Sequence, residues 1–414
     1  MIEFQRYTLA NGLRVIHNYD PSTVMVAVDV LYDTGARDEN RDLTGVAHLF
    51  EHLMFGGSVN IPHFDLELED AGGENNAWTS ADFTNFFDIV PAQNVKTVFH
   101  LESDRMLGLS FNPEALEVQR NVVIEEFKQQ CLNRPFGDLM HGLRDMLYQP
   151  GHPYSWPVIG IEPGHIAKVT DDEIRRRFYA HYAPNNAVLA ISGNLPYERG
   201  RQLVEKWFGD IPRREITPRR MPDPGFPVAD VEREMRGAVP YPNVVIAIPM
   251  DPYGTHDYRV ADCITDLLSA GRSSRLYRNL IAGGDGSIIE ADASIVGSEG
   301  PGFVMLTARP REDSDEVINN AVAALTAQLR QLAEPGNVTA HELERTLNRF
   351  ESTFALSNFD ALSKAQNLAM AEMHGEDIND TVPRQRRITT ADITRVAAQL
   401  AARPRAILKY RPAT

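Results

Sequence analysis

Two histidines and a glutamate lie close together in the stretch TGVAHLFEHLMFGG, which runs from Thr44 to Gly57. His48, Glu51 and His52 are spaced i, i+3 and i+4, so on an α-helix their side chains project from one face. Two imidazoles one turn apart can both reach a metal ion about 2 Å from each ring nitrogen. The carboxylate beside them is placed to hold a water molecule rather than the metal. The stretch therefore predicts a metal site on a helix.

The residues at the two ends of this stretch favour the helix on which that prediction depends. Thr44 can cap its start, and Gly56 and Gly57 can end it. The alternative interpretation is a chance match on an ordinary amphipathic helix. Histidine occupies only 12 of the 414 positions, which makes such a match rare.

A zinc ion that takes part in catalysis needs three protein ligands and one open position for water. The candidate for the third ligand is Glu126, on a predicted helix from Pro113 to Leu132. Helical phase separates two adjacent carboxylates, with Glu125 on the polar side and Glu126 on the apolar side. The apolar residues predicted to share the core-facing stripe with Glu126 are Ala115, Leu116, Val122 and Val123.

A carboxylate that faces a protein core is unfavourable unless it meets a cation. Zinc bound by His48 and His52 would be that cation. The alternative is an ion pair between Glu126 and an arginine such as Arg105 or Arg120.

Composition limits the class of protein. A chain of 414 residues with 43% hydrophobic residues has enough material for two domains that each bury a core. The net charge of −16 argues against nucleic acid as a partner, and no apolar run is long enough to span a membrane. The two cysteines, Cys131 and Cys263, are predicted to be buried thiols. The first residues lack the apolar core of a signal peptide, so we expect a cytoplasmic protein, or a periplasmic one if a leader has been trimmed.

Apolar periodicity predicts an α+β fold. The stretches LRVIHNYD and TVMVAVDVLYDTG read as two antiparallel strands that lead into the histidine helix. The stretch NAWTSADFTNFFDIV reads as a second strand pair. Helices and strands come in mixed order, which favours a sheet packed by helices over a single βαβ winding.

The second half of the chain begins again with a strand and a helix, YPNVVIAIPMDPYG and HDYRVADCITDLLSAG. This order indicates an internal duplication, and a proline-rich stretch separates the two halves. We predict an N-terminal zinc-binding domain at residues 1–214, a linker at 215–230, and a C-terminal domain of the same fold without a metal site at 231–414.

Taken together, these residues resemble the pitrilysin/insulinase family of zinc peptidases, the inverzincins. The likeness is greatest to the mitochondrial-processing-peptidase branch and to bacterial half-size members. The family motif is H-x-x-E-H, followed about 75 residues later by a ligand glutamate, and here Glu126 follows His52 by 74 positions. The other stretches that match are GGENNAWTSADFTNFF, LESDRM, HYAPNNAVLAISGNL, WFGDIP and GRSSRLYRNL.

The resemblance implies two homologous ααβ domains per chain, with mostly antiparallel sheets packed by helices. It implies that two such chains close around a chamber like a clam shell, and that the enzyme is a zinc endopeptidase acting on short or unfolded peptides. It also implies one zinc ion per chain, with His48, His52 and Glu126 as ligands and Glu51 as the general base.

Asn76, Ala77 and Trp78 match the edge segment that pairs with the substrate backbone in this family. Pairing of this kind depends on hydrogen bonds to the substrate main chain, so it tolerates many substrate sequences. From the residues alone, Asn76 reads equally well as a turn residue.

The sequence departs from the family pattern at two places. Gln119 stands seven residues before Glu126, where the family usually has an acidic residue that supports the site; an amide can hydrogen-bond a ligand but adds no charge. Ile281 and Ile288 stand where active single-chain members carry an arginine and a tyrosine that contact substrate. The resemblance therefore implies the zinc-bearing subunit of a heterodimer whose homologous partner lacks H-x-x-E-H and supplies that arginine and tyrosine.

The function predicted from these residues is metal-assisted hydrolysis of peptide bonds. In this prediction Glu51 takes a proton from water and delivers it to the leaving amine. A homodimeric peptidase is one alternative. A non-catalytic scaffold like the core subunits of the respiratory cytochrome bc complex, which share this fold, is another. A third is an iron(II) oxygenase with two histidines and a glutamate as its facial triad, which leaves Glu51 without a role.

Overall fold

The computed structural model describes residues 1–216, 219 and 221–413. Positions 217, 218 and 220 of the predicted linker lie outside the described residues. The chain forms two compact units, each built from three segments. Unit 1 comprises Met1–Phe127, Pro157–Arg220 and Thr353–Thr381, and unit 2 comprises Lys128–Trp156, Met221–Ser352 and Val382–Thr414.

Each unit contains one β-sheet covered by helices, so the fold is α+β with two domains, as predicted. The strands are β1 (Gln5–Thr8), β2 (Arg14–Tyr19), β3 (Met25–Tyr32), β4 (Glu74–Thr79), β5 (Thr84–Pro91), β6 (Ala187–Gly193), β7 (Val231–Gly237), β8 (Asn243–Pro249), β9 (Ile288–Val296), β10 (Phe303–Pro310) and β11 (Ala406–Pro412).

Helices of varied length connect the strands of the described chain. They are α1 (Val46–Leu53), α2 (Phe64–Asp70), α3 (Val95–Leu107), α4 (Pro113–Phe127), α5 (Leu139–Leu147), α6 (Pro163–Lys168), α7 (Asp171–His181), α8 (Tyr197–Phe208), α9 (His256–Ser269), α10 (Asp315–Leu332), α11 (Ala340–Leu356), α12 (Ala361–Met373), α13 (Thr381–Gln385) and α14 (Thr390–Ala402). Two further segments, Lys128–Asn133 and Tyr277–Ala282, are π-helical.

The sheet of unit 1 has six strands in the order β1-β2-β6-β3-β5-β4. The predicted pairing of β2 with β3 is wrong, because β6 lies between them, parallel to β2 and antiparallel to β3. All seven residues of β6 are buried, so this strand needs a partner on each side. The connection between β2 and β3 spans two strand spacings, which is only about 10 Å and within reach of a short loop. The predicted pair of β4 and β5 is confirmed.

The sheet of unit 2 has five strands in the order β7-β11-β8-β10-β9. Its first pair is parallel and the other three pairs are antiparallel. Without β1, the sheet of unit 1 shows the same sequence of one parallel and three antiparallel pairs. The predicted internal duplication is therefore confirmed at the level of strand order.

The two units cross the predicted domain boundaries in two segments. Helix α12, from the C-terminal half of the chain, packs on β2, β3 and β6 of unit 1. Helix α5, from the N-terminal half, packs on β8 and β11 of unit 2. Periodicity predicts that such helices are amphipathic, but it does not say which sheet an amphipathic helix will cover.

The cores of the units follow the apolar patterns of the sequence. In β3 every residue after Met25 is buried, as expected for a central strand covered on both faces. The two cysteines are free and buried, which confirms that prediction. None of the helices in the described part of the chain combines the length and apolar content needed to cross a membrane.

Candidate metal centre

Helix α1 presents its apolar face to the core of unit 1 and its polar face to the predicted site. Five of its side chains are buried: Val46, Ala47, Leu49, Phe50 and Leu53. His48, Glu51 and His52 are the remaining residues of the helix, and each is only partly buried. The alternation of apolar and chemical residues at helical spacing therefore fixes which face carries the site.

The start of α1 is stabilised differently from the prediction. Thr44 is not the cap; the cap position is Gly45, in the left-handed region at φ 83°, which glycine adopts readily. The carboxylate of Glu39 accepts hydrogen bonds from the backbone N–H groups of Gly45 at 3.1 Å and Ala47 at 2.6 Å. A negative charge at this end also complements the helix dipole. Glu39 was missed because its place depends on the loop before the helix.

Thr44 instead connects the loop before α1 to the segment around α6 through hydrogen bonds. Its hydroxyl lies 2.9 Å from Nδ1 of His165, and it accepts a hydrogen bond from the backbone N–H of Ile161 at 2.8 Å. These contacts hold the first turn of α1 against the segment around α6.

The third predicted ligand reaches the site from α4. Oε2 of Glu126 lies 3.6 Å from Nε2 of His48 and 3.5 Å from Nε2 of His52. Ligand atoms about 2.0–2.1 Å from a tetrahedral zinc ion are ~3.4 Å apart, so both separations suit a shared ion. Among the described residues, this trio is the only group of three or more histidine, cysteine or acidic side chains close enough to hold a metal. Two imidazole nitrogens and one carboxylate oxygen form a donor set that zinc prefers.

The environment of His48 favours the neutral imidazole, which is the form that binds metal. Burial lowers the pKa of His48, and it outweighs the opposing effect of the Glu126 carboxylate. Nδ1 of His48 is buried and has no hydrogen-bond partner in the described part of the structure. The side chains of His48, His52 and Glu126 are 13%, 25% and 27% exposed, so a small ligand can reach them from solvent.

Glu126 and Glu125 differ in exposure as predicted, with Glu125 the more exposed. The predicted stripe is wrong at one position: Val122 is 44% exposed, whereas Leu116 and Val123 are buried. The helix itself ends at Phe127, and the chain continues as a π-helical turn over the remainder of the predicted length.

The arginines considered as partners of Glu126 pair elsewhere. The guanidinium of Arg105 is buried and bonds to Glu102. Arg120 pairs with Glu117 at 3.0 Å and donates to the backbone carbonyl of Val169. The side chain of Gln119 forms no hydrogen bond with the described residues, so its amide does not hydrogen-bond a metal ligand in this structure.

Glu51 is held by Thr79, a residue outside the predicted site. The hydroxyl of Thr79 donates a hydrogen bond to Oε2 of Glu51 at 2.5 Å. Thr79 is the last residue of β4 and directly follows the predicted substrate-binding segment. A polar residue at the end of that segment was the available signal.

Asn76, Ala77 and Trp78 all lie in β4, at the edge of the sheet. They pair with Phe87, Phe86 and Asn85 of β5 on one side, and among the described residues no strand pairs with the other side of β4. The alternative interpretation of Asn76 as a turn residue is wrong. An exposed edge strand beside the metal helix can accept an extended peptide as an additional strand.

The two isoleucines of the C-terminal half lie in apolar surroundings in unit 2. Ile281 belongs to the π-helical segment Tyr277–Ala282, and Ile288 is the first residue of β9. Ile288 is buried, and Ile281 packs against the same hydrophobic core.

Comparison with protein families gives two matches on this chain. Residues 14–141 match insulinase, peptidase family M16, and residues 168–350 match the peptidase M16 inactive domain. The first match contains the three predicted ligands, Glu51 and β4. The second begins in unit 1 and extends through most of unit 2.

Individual relatives agree with this assignment. The zinc protease PqqE of Helicobacter pylori is 26% identical over 404 residues, which is 94% of this chain and 88% of that protein. Mitochondrial-processing peptidase subunit beta of Saccharomyces cerevisiae is 26% identical over 260 residues, which is 61% of this chain and 55% of that protein.

Solved structures show the same fold. A protease from Helicobacter pylori superposes with a TM-score of 0.89 at 23% identity and covers 100% of both chains. The peptidase M16 inactive domain from Pseudomonas fluorescens superposes with a TM-score of 0.88 at 14% identity, covering 100% of this chain and 98% of the other.

Proposed function

Because the chain belongs to the insulinase (M16) family of zinc peptidases, we propose that it is a catalytic member, a zinc metalloendopeptidase that hydrolyses short or unfolded peptides. The observation that supports catalysis is the approach of the Glu126 carboxylate to both histidines at 3.5–3.6 Å, with Glu51 on the same face of α1. A scaffold subunit that had lost catalysis would have no need to keep all four residues in this arrangement.

In this proposal His48, His52 and Glu126 hold one zinc ion. When bound there, zinc supplies Lewis acidity, which polarises the scissile carbonyl and lowers the pKa of a water molecule toward about 7. Glu51 accepts the proton of the attacking water and later delivers it to the leaving amine. A carboxylate on the ligand helix, yet outside the ligand set, is suited to this transfer.

The edge strand β4 is the proposed site for the peptide backbone. A substrate that adds to this strand must be extended, so peptides and unfolded segments fit and folded domains do not. Asn76, Ala77 and Trp78 would pair with the substrate main chain. Their position in the edge strand supports this role, because in the part of the chain that the structure describes no strand pairs with the outer side of β4.

We further propose that the enzyme is a heterodimer. Ile281 and Ile288 offer only apolar side chains where an arginine and a tyrosine are expected, so a homologous partner without H-x-x-E-H would supply those donors. The beta subunit of mitochondrial-processing peptidase, a relative of this chain, is by its name one subunit of a larger enzyme. A homodimeric peptidase is the alternative. The proposed compartment is the cytoplasm, or the periplasm if a leader has been trimmed.

The proposal is tested on the purified chain, alone and with homologous partners. We expect about one zinc per chain, and cleavage of an unstructured fluorogenic peptide that a chelator abolishes and added zinc restores. A stable folded protein should be cleaved far more slowly than the peptide. Bound iron instead of zinc, or a metal-loaded complex without peptidase activity, would contradict the proposed function. Equal rates on the peptide and the folded protein would contradict only the proposed substrate class.

A further inference from the structure

The hydrogen bond between Thr79 and Glu51 links helix α1, which carries His48 and His52, to the edge strand β4. Its O···O distance of 2.5 Å is typical of a hydroxyl bonded to a charged carboxylate. Among the residues that the structure describes, no other side chain or backbone group donates a hydrogen bond to Glu51. The orientation of this carboxylate therefore depends on one hydroxyl.

Thr79 is itself held by groups that do not belong to α1. Its Cα pairs with Thr84 of β5, whose hydroxyl donates to the backbone carbonyl of Thr34 at 2.9 Å. The next residue, Ser80, closes the turn between the strands, because its backbone N–H donates to the carbonyl of Phe83 at 2.8 Å and its hydroxyl accepts from the N–H of Phe83 at 2.9 Å. The β-branched side chain of threonine adds a restricted χ1 angle. The position of the Thr79 hydroxyl is thus set by β4, β5 and the turn between them, and does not depend on the contact with Glu51.

Glu51 needs such a restraint. Its side chain has three rotatable bonds and is only partly buried, so packing alone does not select one position. A carboxylate this close to two histidines and a third ligand could also turn toward the metal position. A bond to Oε2 from the strand side keeps the carboxylate beside the edge where the peptide is expected, and leaves Oε1 for a water molecule.

We propose that Thr79 is a positioning residue that holds Glu51 in place for proton transfer and ties it to the strand that receives the substrate. This inference rests on the proposed function, since it assigns Glu51 the role of general base. Loss of the hydroxyl should then slow turnover without weakening peptide binding, because the backbone of β4 remains available to pair with the peptide.

Two variants separate the hydroxyl from the methyl group of this residue. Thr79→Val removes the hydroxyl and keeps the shape, and Thr79→Ser keeps the hydroxyl. In the zinc-loaded enzyme, with its partner if one is required, we expect Thr79→Val to lower kcat by about 10- to 100-fold, with KM changed less than about twofold and zinc content unchanged. Thr79→Ser should stay within about threefold of the unaltered enzyme. Wild-type kcat in Thr79→Val, or an equal loss in both variants, would overturn the inference.

A structural measurement keeps the inference testable if the unaltered enzyme proves inactive and the proposed function fails. High-resolution crystal structures of the two variants would show the Glu51 side chain directly. We expect it in its original position in Thr79→Ser, and displaced or in several conformations in Thr79→Val. An unchanged Glu51 in Thr79→Val would overturn the positioning role whatever the activity.

Discussion

Nε2 of His52 lies 3.5 Å from Oε2 of Glu126, although 74 positions separate the two residues in the chain. Glu125 is adjacent in sequence but more exposed. This pair of carboxylates provides a matched test of the ligand assignment. Glu126→Gln should lose most of the bound zinc, because it removes a charged ligand, and Glu125→Gln should keep about one zinc per chain. Metal analysis of the purified variants measures both. Retention by Glu126→Gln together with loss in Glu125→Gln would reverse the assignment.

Glu51→Gln tests the general base separately from the metal. The amide has nearly the same size but cannot accept the proton, so we expect the zinc content to stay near one and turnover to fall by about two to four orders of magnitude. Peptide cleavage and metal analysis on the same preparation check this result. A Glu51→Gln enzyme with most of its kcat would show that another group acts as the base.

The proposed heterodimer leads to a prediction for the catalytic activity of the isolated chain. Donors that orient and polarise a bound carbonyl contribute roughly 10² to 10³ in rate, so the chain alone should be nearly inactive. Activity should appear on mixing with a homologue that lacks H-x-x-E-H. It should be lost again when the expected arginine or tyrosine of that homologue is replaced. Full activity of this chain by itself would favour the homodimeric alternative.

The buried carboxyl group of Asp29 should make the stability of the folded chain depend on pH, independently of catalysis. It is buried in β3, and both carboxylate oxygens lie 2.9 Å from Nδ2 of Asn85. Burial raises the pKa of Asp29 to about 8, whereas the unfolded chain loses this proton near its ordinary value of 3.8. Between these pH values the folded state binds more protons, so its stability falls as the pH rises. Asp29→Asn mimics the protonated carboxyl and should be more stable than the unaltered chain at pH 8, by about 2–4 °C in Tm or more.

The comparison for Asp29 is Asp20, whose pKa shifts in the opposite direction. Hydrogen bonds from Ser22 and Lys364 lower the pKa of Asp20 to about 2, so this carboxylate stabilises the fold above pH 4. Asp20→Asn should therefore lower Tm at neutral pH. Thermal melts of both variants from pH 2 to 8 measure the two trends, because the Asp20 contribution is lost below pH 4 and the Asp29 effect grows above it. An Asp29→Asn difference that does not shrink toward pH 4 would contradict the buried-proton interpretation.

Local periodicity was sufficient to predict the parts of the site that lie within one helix. The spacing of His48, Glu51 and His52 places them on one face of any helix, and helical phase distinguished Glu126 from Glu125. The predicted helices and the strand pair β4 and β5 are likewise determined by neighbours in sequence.

The features that were not predicted depend on segments that lie far apart in the sequence. The insertion of β6 between β2 and β3 is decided by a strand that follows more than 150 residues later. The helix cap from Glu39 and the hydroxyl of Thr79 depend on loop and strand placement, which residue patterns do not report. Val122 is exposed although its helical phase favours the core, because phase gives only the direction of a side chain and not what packs against it.

Helix α12 has a consequence for how the chain folds during synthesis. It covers one face of the sheet of unit 1, and the buried side chains beneath it include Ile16, Ala27 and Val188. A ribosome that has released only the first half of the chain leaves those side chains exposed to water. Unit 1 thus cannot finish its core until residues near 373 have emerged, and a fragment cut at the linker would expose an apolar sheet face and tend to aggregate. Unit 1, which contains the metal-binding residues, therefore cannot complete its fold until nearly the whole chain has been synthesised.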